Sequence, residues 1–327
     1  MLTTASRHSF KRKILVTGGA GFIGSALTEK LAQDKDNLIV VVDDLSTGMI
    51  EKVPQSNNIR FIKCDVNDYK DIAEVMLSYQ FHYVFHYAAM VGVLRTQLHP
   101  VKVLKDMKGI ENILRIAKNS SVRRVFFASS SEVYGEPVEI PQNVYTTPLN
   151  SRLPYAIVKN LGEAYLRSYH KEFGLDFTIF RFFNTYGPKQ SKDFVIYKFI
   201  SCALLNKDIT IYGNGSQTRT FCYIDDNIDA CVSIATQDLH INDVINIGQN
   251  NETTILELAQ TILNITDSKS KIVYVDPLKE GDMSRRMPDN DMMRQILNRD
   301  LLPLEDGIKR ILDQGLFELT IDHNALY

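Results

Sequence analysis

Between two apolar segments near the N-terminus lies Thr17-Gly18-Gly19-Ala20-Gly21-Phe22-Ile23-Gly24, and no other run constrains the fold as much. Ile14–Thr17 has the apolar, β-branched character of a buried strand, and about Phe22–Leu31 has helical spacing. Gly18, Gly21 and Gly24 between such elements describe a tight turn that a pyrophosphate can approach closely. The helix that follows points its N–H groups and dipole at that anion. Asp43 ends the next strand, close to the spacing from Gly24 expected of an acid that accepts both adenosine-ribose hydroxyls and repels a 2′-phosphate. No arginine takes that position, so the turn predicts NAD rather than NADP. Asp65, ending the third strand, has two readings. It is a turn or helix-cap acid, because Asn67 and Asp68 follow, or it faces the adenine crevice.

Strand and helix patterns alternate through the first half, which predicts a parallel sheet. The strands are Ile14–Thr17, Leu38–Val42, Ile59–Lys63, Tyr83–His86, Val125–Ala128 and Phe177–Phe182. Helices are expected at Asp71–Tyr79, from Pro100 to about Ser120 as one long element, and at Tyr155–Phe173. After Pro188 the rhythm breaks. Phe194–Leu205 is helical, Ile209–Tyr212 a strand and Ile224–Thr236 a helix, and Val244–Ile247 is apolar enough to rejoin the main sheet. A helix near Ile255–Ile265 and a strand at Ile272–Val275 follow. The expected class is α/β, a Rossmann-type doubly wound parallel sheet with a smaller C-terminal α/β lobe. Residues 1–188, rejoined at about 222–250, form the NAD-binding domain, and 189–221 with 251–327 form the lobe.

The 327 residues are 44% hydrophobic and 23% charged with a formal net charge of −2, which gives no reason to expect a nucleic acid or membrane-surface partner. No apolar run is long enough to span a bilayer, and Met1–Phe10 is polar, unlike a signal peptide. Cys64, Cys202, Cys222 and Cys231 lie far apart, which reads as reduced thiols in a cytoplasmic protein. The histidines form no cluster, so no metal is predicted.

Tyr155 and Lys159 are one helical turn apart and share a face. A tyrosine loses its proton near pH 10, and each unit of lowering needs about 1.4 kcal/mol of preference for the phenolate. A neighbouring ammonium and a nicotinamide ring supply that preference and make a general base for a sugar hydroxyl. Roughly one Tyr-x-x-x-Lys is expected by chance among 15 tyrosines. This one gains weight because Pro154 sets it in the first turn of its helix. Ser130, just past the fifth strand, is either a substrate-binding hydroxyl or a solvated loop serine.

Together TGGAGFIG, the Tyr155/Lys159 pair, ASSSEVYG (Ala128–Gly135) and FFNTYGP (Phe182–Pro188) resemble the extended short-chain dehydrogenase/reductase family. Its members are NAD-dependent epimerases, dehydratases and decarboxylases of nucleotide sugars. The likeness extends over nearly the whole chain, since YGNGSQTRTFCYIDD (Tyr212–Asp226) and EGDMSRRMPD (Glu280–Asp289) also match. It implies that Gly18, Gly21, Phe22, Ile23 and Gly24 contact the pyrophosphate of NAD and Asp43 its ribose. Ser46, Thr47 and Gly48 would wrap the adenosine, Asp65 and Val66 hold the adenine, and Ala88 and Ala89 line the cofactor. Ser130, Tyr155 and Lys159 would be catalytic. Asn184, Arg219 and one of Arg285 and Arg286 would hold the diphosphate of a UDP-sugar, as guanidinium forks suit phosphate oxygens. The bland alternative for Arg219 is an ion pair with Asp225 or Asp226. The resemblance also implies a homodimer built on helices at about Val101–Ser120 and Tyr155–Phe173, and the spacing of Val103, Met107, Ile110 and Leu114 permits it.

The reaction is divided between readings that share a 4-keto sugar. HYAAMVGV (His86–Val93) is similar to the substrate loop of bacterial UDP-hexose 4-epimerases, and the Ser-Pro-rich loop usual in decarboxylases is absent. Glu132 instead matches UDP-glucuronate decarboxylases and some dehydratases, unless it is a mere loop carboxylate. Ser131 fills a position where hexose 4,6-dehydratases commonly have Asp. The expectation is a UDP-hexose 4-epimerase of the UDP-glucose or UDP-N-acetylglucosamine type. UDP-glucuronate decarboxylation ranks next, 4,6-dehydration third, and a non-catalytic NAD-sensing scaffold last.

Overall fold

Asn37–Asp43 and Arg124–Ser130 are buried along their whole length, which requires a sheet covered on both faces. The computed structural model describes residues 10–277 and 285–315. In chain order the elements are β1 (Arg12–Thr17), α1 (Phe22–Leu31), β2 (Asn37–Asp43), β3 (Ile59–Lys63), α2 (Tyr69–Tyr79) and β4 (Tyr83–His86). Next come α3 (Val93–Leu98), α4 (Pro100–Leu104), α5 (Asp106–Ala117), β5 (Arg124–Ser130), α6 (Pro154–Phe173) and β6 (Asp176–Phe182). The chain continues with β7 (Thr185–Tyr186), α7 (Val195–Leu204), β8 (Ile209–Tyr212), β9 (Thr218–Thr220), β10 (Cys222–Tyr223), α8 (Ile224–Thr236) and β11 (Asp243–Ile247). It ends with β12 (Glu252–Thr254), α9 (Ile255–Thr266), β13 (Ile272–Val275), α10 (Asp291–Leu297) and α11 (Leu304–Asp313).

Seven strands form one parallel sheet in the order β11-β6-β5-β4-β1-β2-β3. Strand order reverses at β1, which has β2 on one side and β4 on the other. That reversal opens a crevice at the carboxyl ends of the strands. As expected, Asp243–Ile247 returns to the sheet, beside β6. Small two-stranded pairings, β8 with β13, β9 with β12 and β7 with β10, lie outside it. Successive side chains of β1 part to two cores. Ile14 and Val16 join α1, α8 and the later helices, while Leu15 joins α2, α5 and α6.

Two helices differ from expectation by more than a residue at an end. The helix after Pro100 is divided, because the N–H groups of Lys105 and Lys108 bond the carbonyls three residues back, Lys102 and Lys105, in tight turns. α2 begins at Tyr69 because the Asp68 side chain accepts the Lys70 N–H at 2.8 Å and caps it. The helix Val93–Leu98 was not foreseen. Val103, Ile110 and Leu114 are buried in the core beneath α6 and Met107 packs partly buried against it, so this stripe serves internal packing. Among the described residues no helix is long and apolar enough to cross a membrane. Readings that fell on 1–9, 278–284 and 316–327, including Glu280–Ser284 of the last motif, lie outside the described residues.

Phe126 is wholly buried between Phe85, stacked at 4.4 Å, and Phe180 at 6.0 Å. Phe126→Ala is expected to lower unfolding free energy by about 3–5 kcal/mol, measured by urea denaturation.

Candidate active site

The crevice between β1 and β4 is closed at its base by backbone. Gly18 has φ +69°, and a Cβ there would lie 2.7 Å from the Ala88 nitrogen, so only glycine lets the two strand ends touch. Thr17 locks the same junction. Its hydroxyl accepts N–H groups from Tyr87 and Ala88, each at 3.1 Å, and meets His86 Nδ1 at 2.9 Å. Burial, aided by the nearby Lys159 charge, pushes the His86 imidazole down to about 3. The ring is therefore neutral, and Nδ1 can accept the threonine O–H. A Cβ on Gly24 would fall 2.3 Å from the Gly18 carbonyl oxygen, so α1 starts directly on the turn. Its N-cap, Gly21, has no side chain to satisfy the first N–H groups, and Phe22 and Ile23 open the helix. These unsatisfied donors and the room left by absent side chains fit an anionic pyrophosphate.

Asp43 ends β2 beside this turn. Its carboxylate accepts N–H groups from Ala20 at 3.0 Å and Leu45 at 2.9 Å, and burial pushes its pKa up. Ser46, Thr47 and Gly48 wrap around it: a Cβ on Gly48 would be 2.6 Å from Asp43 Oδ1, and the Met49 N–H reaches the Ala20 carbonyl at 3.0 Å. Asp65 accepts the Asn67 N–H at 2.8 Å, as a turn acid does, and Asp68 is the helix cap. Val66 is buried beside α5, and its carbonyl receives the Asn112 amide at 3.0 Å.

The catalytic candidates converge at the end of β5. Ser130 caps the short helical turn Ser131–Tyr134 by accepting the Glu132 N–H at 3.2 Å, and its hydroxyl lies near the Tyr155 phenol. Burial pushes the Tyr155 phenol well above its ordinary value. Ser130 works against this, Glu132 and Asp106 add to it, and Arg286 opposes it. Lys159 lies one turn further along α6, 3% exposed, with Nζ 5.1 Å from the Phe127 ring centre and 5.6 Å from that of Tyr155. Burial brings it down to about 8, and Asp106 pulls the other way.

Beneath this floor runs a buried polar network that the sequence reading missed. Glu163 is bridged by both Arg181 Nε (2.9 Å) and Nη2 (2.7 Å), and accepts the Ser129 hydroxyl at 2.6 Å. Arg181 also donates to Tyr134, whose hydroxyl donates to Asn246 at 2.7 Å. The network ties β5, β6, β11 and α6 together under Ser130. Two signals pointed to it: Tyr155, Lys159 and Glu163 recur every four residues on α6, and Arg181 interrupts an otherwise apolar strand. Asp106 was missed as well, because an acid in the first turn of a helix reads as an ordinary end charge.

Arg285 and Arg286 part company. Arg285 pairs with Glu252, which also accepts the Thr218 hydroxyl at 2.6 Å, next to Arg219 in the β9–β12 pairing. Arg219 donates to the Thr218 carbonyl at 2.7 Å, and the acids proposed as its partners are taken by others: Asp225 meets Arg310 and Asp226 meets Arg299. Arg286 instead turns inward and meets Glu132 at 2.7 Å, with side chains 7% and 14% exposed. The second Glu132 oxygen is buried with no hydrogen-bond partner. Arg286 is held there by the next residues: Gln142 N–H bonds the Met287 carbonyl at 2.8 Å, the Asp289 N–H bonds the Gln142 carbonyl at 2.9 Å, and Asn143 donates to Asp289 at 2.8 Å. Asn184 lies between β6 and β7, its carbonyl accepting the Cys222 N–H at 2.8 Å.

Residues 14–248 match the profile of the NAD dependent epimerase/dehydratase family. The chain belongs to that family. It is 33% identical to UDP-glucuronic acid decarboxylase 1 of Danio rerio, over 96% of this chain and 75% of the relative. It is 36% identical to UDP-N-acetyl-alpha-D-glucosaminuronate decarboxylase of Bacillus cytotoxicus, over 88% and 92%. Among solved structures, the UDP-glucose 4-epimerase of Thermotoga maritima with UDP-glucose superposes with a TM-score of 0.87 at 30% identity, covering 94% of this chain and 100% of that one. The protein is thus an NAD-dependent enzyme of a family whose members epimerise, decarboxylate or dehydrate nucleotide sugars. Gly18→Val forces a side chain into the Ala88 backbone and is expected to cut NAD content of the purified protein at least roughly tenfold, read by cofactor release and absorbance.

Proposed function

We propose that this enzyme oxidises a UDP-uronate at C4 and decarboxylates the resulting 4-keto acid. The observation that carries this reading is the inward Arg286, a guanidinium sunk beside the Tyr155 phenol and held by Glu132. A substrate carboxylate offers that guanidinium the same bidentate acceptor as Glu132 does. A neutral hexose has no group to replace it. Both decarboxylase relatives act on uronates by their names, which agrees with the reading.

NAD, when bound, supplies a hydride acceptor for the sugar and later a donor for its return. Tyr155 takes the proton of the 4-hydroxyl, Ser130 shares that hydrogen bond, and Lys159 supplies positive charge to the phenolate. Arg286 holds the C6 carboxylate. With a ketone at C4 the acid is a β-keto acid. The C5–C6 bond breaks, carbon dioxide leaves, and its electron pair moves onto the C4 oxygen, where the Tyr155 and Ser130 hydroxyls stabilise it. Glu132, displaced from Arg286, is placed to take a proton from water and pass it to C5, which needs one once carbon dioxide has left. We assign Asn184, Arg219 and Arg285 to the UDP diphosphate in the lobe formed by 189–221 and 251 onward. The exposed Leu98, Val101 and Ile157 support a homodimer contact on α3, α4 and α6.

The alternative that the sequence ranked first, 4-epimerisation of a UDP-hexose, keeps support from the His86–Val93 loop and the Thermotoga likeness. Incubating the enzyme with UDP-glucuronate, UDP-glucose and UDP-N-acetylglucosamine, with products read by NMR, separates the two. Carbon dioxide and a UDP-pentose are expected from UDP-glucuronate. A C4 epimer that keeps C6, or turnover of neutral hexoses alone, would sink the proposal. Arg286→Met is expected to raise KM for UDP-glucuronate at least roughly tenfold, and Tyr155→Phe to lower kcat by about 100-fold or more.

A further inference from the structure

From Val244 to Ile247 strand β11 is apolar, save for Asn246. Val244 faces the core under α2, α5 and α6, Ile245 and Ile247 face the other, and Asn246, 1% exposed, shares the side of Val244. A buried amide destabilises a fold unless its donors and acceptor are met. Here they are met on three sides. The Tyr134 hydroxyl donates to Asn246 Oδ1 at 2.7 Å, while Asn246 Nδ2 donates to the Gln142 carbonyl at 2.8 Å and the Asp289 carbonyl at 3.2 Å. The amide's orientation is dictated from both ends. Arg181 Nη1 donates to the Tyr134 oxygen at 2.9 Å, so the phenol's own proton must find an acceptor, and the two backbone carbonyls can only accept.

The two sides of that amide lead to the two halves of one ion pair. Tyr134 closes the short turn Ser131–Tyr134 that carries Glu132. Gln142 and Asp289 clamp the segment that carries Arg286: the Gln142 N–H bonds the Met287 carbonyl at 2.8 Å, and the Asp289 N–H bonds the Gln142 carbonyl at 2.9 Å. Glu132 and Arg286 are far apart in the chain, yet they meet at 2.7 Å with side chains 14% and 7% exposed. Other contacts also dock the Arg286 segment. Asn143 donates to the Asp289 side chain at 2.8 Å, and Asn290 donates to the Gly248 carbonyl at 2.9 Å. Asn246 adds a direct link between the turn and the clamp. A leucine of similar size would bond neither.

We propose that Asn246 is a positioning residue for carboxylate recognition: it joins the turn of Glu132 to the segment of Arg286 and so fixes where the guanidinium stands in the crevice. The proposal rests on the reading of Arg286 as the group that takes the substrate carboxylate. Without the amide, the turn and the clamp move independently, and the guanidinium samples several positions. A substrate carboxylate must then order it on binding, which weakens affinity for a uronate. The UDP end is assigned to other residues and is unaffected.

Asn246→Ala removes the link. In the NAD-bound enzyme labelled with nitrogen-15 at arginine Nε, the Arg286 and Arg124 signals are identified by their loss in Arg286→Lys and Arg124→Lys. Arg124, whose Nε donates to Thr178 at 2.8 Å, starts β5 at the opposite end from Ser130 and is the internal reference. Hydrogen exchange of the Arg286 Nε–H is expected to quicken roughly tenfold in Asn246→Ala, with the Arg124 rate unchanged. KM for UDP-glucuronate should rise roughly tenfold while kcat changes less than about threefold, and UDP alone, followed by calorimetry, should bind as before. Tyr134→Phe cuts only the bond to the turn. It should move the same readouts in the same direction by less, and it carries the test if Asn246→Ala does not fold. An Arg286 rate that stays put, or Arg286 and Arg124 rates that rise together, would overturn the proposal in favour of ordinary packing. So would a loss of UDP affinity equal to the rise in KM. The exchange measurement needs no sugar. A loosened Arg286 in an enzyme that turns over neutral hexoses alone sinks the uronate reading and leaves Asn246 as the link that holds the pair.

Discussion

The junction of Gly18 with Ala88, fastened by the Thr17 hydroxyl, is the contact on which the rest of the site depends. Two parallel strands end at it side by side, with no side chain between their backbones. On one side the turn leads into α1, whose free N–H groups suit a pyrophosphate. On the other, the chain passes through Ala88 and Ala89 to Met90, which α5 holds through Asp106. One close approach therefore positions both the phosphate cradle and the loop at the opposite end of the crevice.

The floor under the reacting groups follows a different principle. Glu163 and Arg181 are a buried ion pair, and such pairs stabilise little once desolvation is counted. Their value here is directional. Each carboxylate oxygen and three guanidinium nitrogens have assigned partners on separate elements, so Ser129 and the turn after Ser130 have few alternative positions. Ser130 stands on a base that resists adjustment, with the Glu132–Arg286 pair following it in the turn.

Much of the sheet was legible in the amino-acid pattern. The limits of α1, β3, β4, β8, α8 and β13 agree with those read from the sequence, because each is a short run rich in β-branched or aromatic residues or a helix of clear spacing. The break at Lys105 was invisible, since both halves share one apolar stripe and only hydrogen-bond spacing divides them. The geometry of the glycine turn was legible because strand, glycines, helix and Asp43 are local in sequence. The different placements of Arg285 and Arg286 were not, because neighbours in extended chain point to opposite sides and the alternation needs a partner strand to set its phase. That partner is the segment at Gln142, far away in the chain.

The stitching of Met287 and Asp289 to Gln142 bears on when the enzyme becomes competent during synthesis. Every strand of the central sheet has been made once Ile247 has been added, so the nascent chain already holds the glycine turn, Asp43, Tyr155 and Lys159. Arg286 emerges later and reaches Glu132 only after its flanking residues dock on a loop made long before. A growing polypeptide thus completes the glycine turn and the sheet around it before Arg286 can reach Glu132. The segment that carries Arg286 is therefore the last piece to join this side of the crevice.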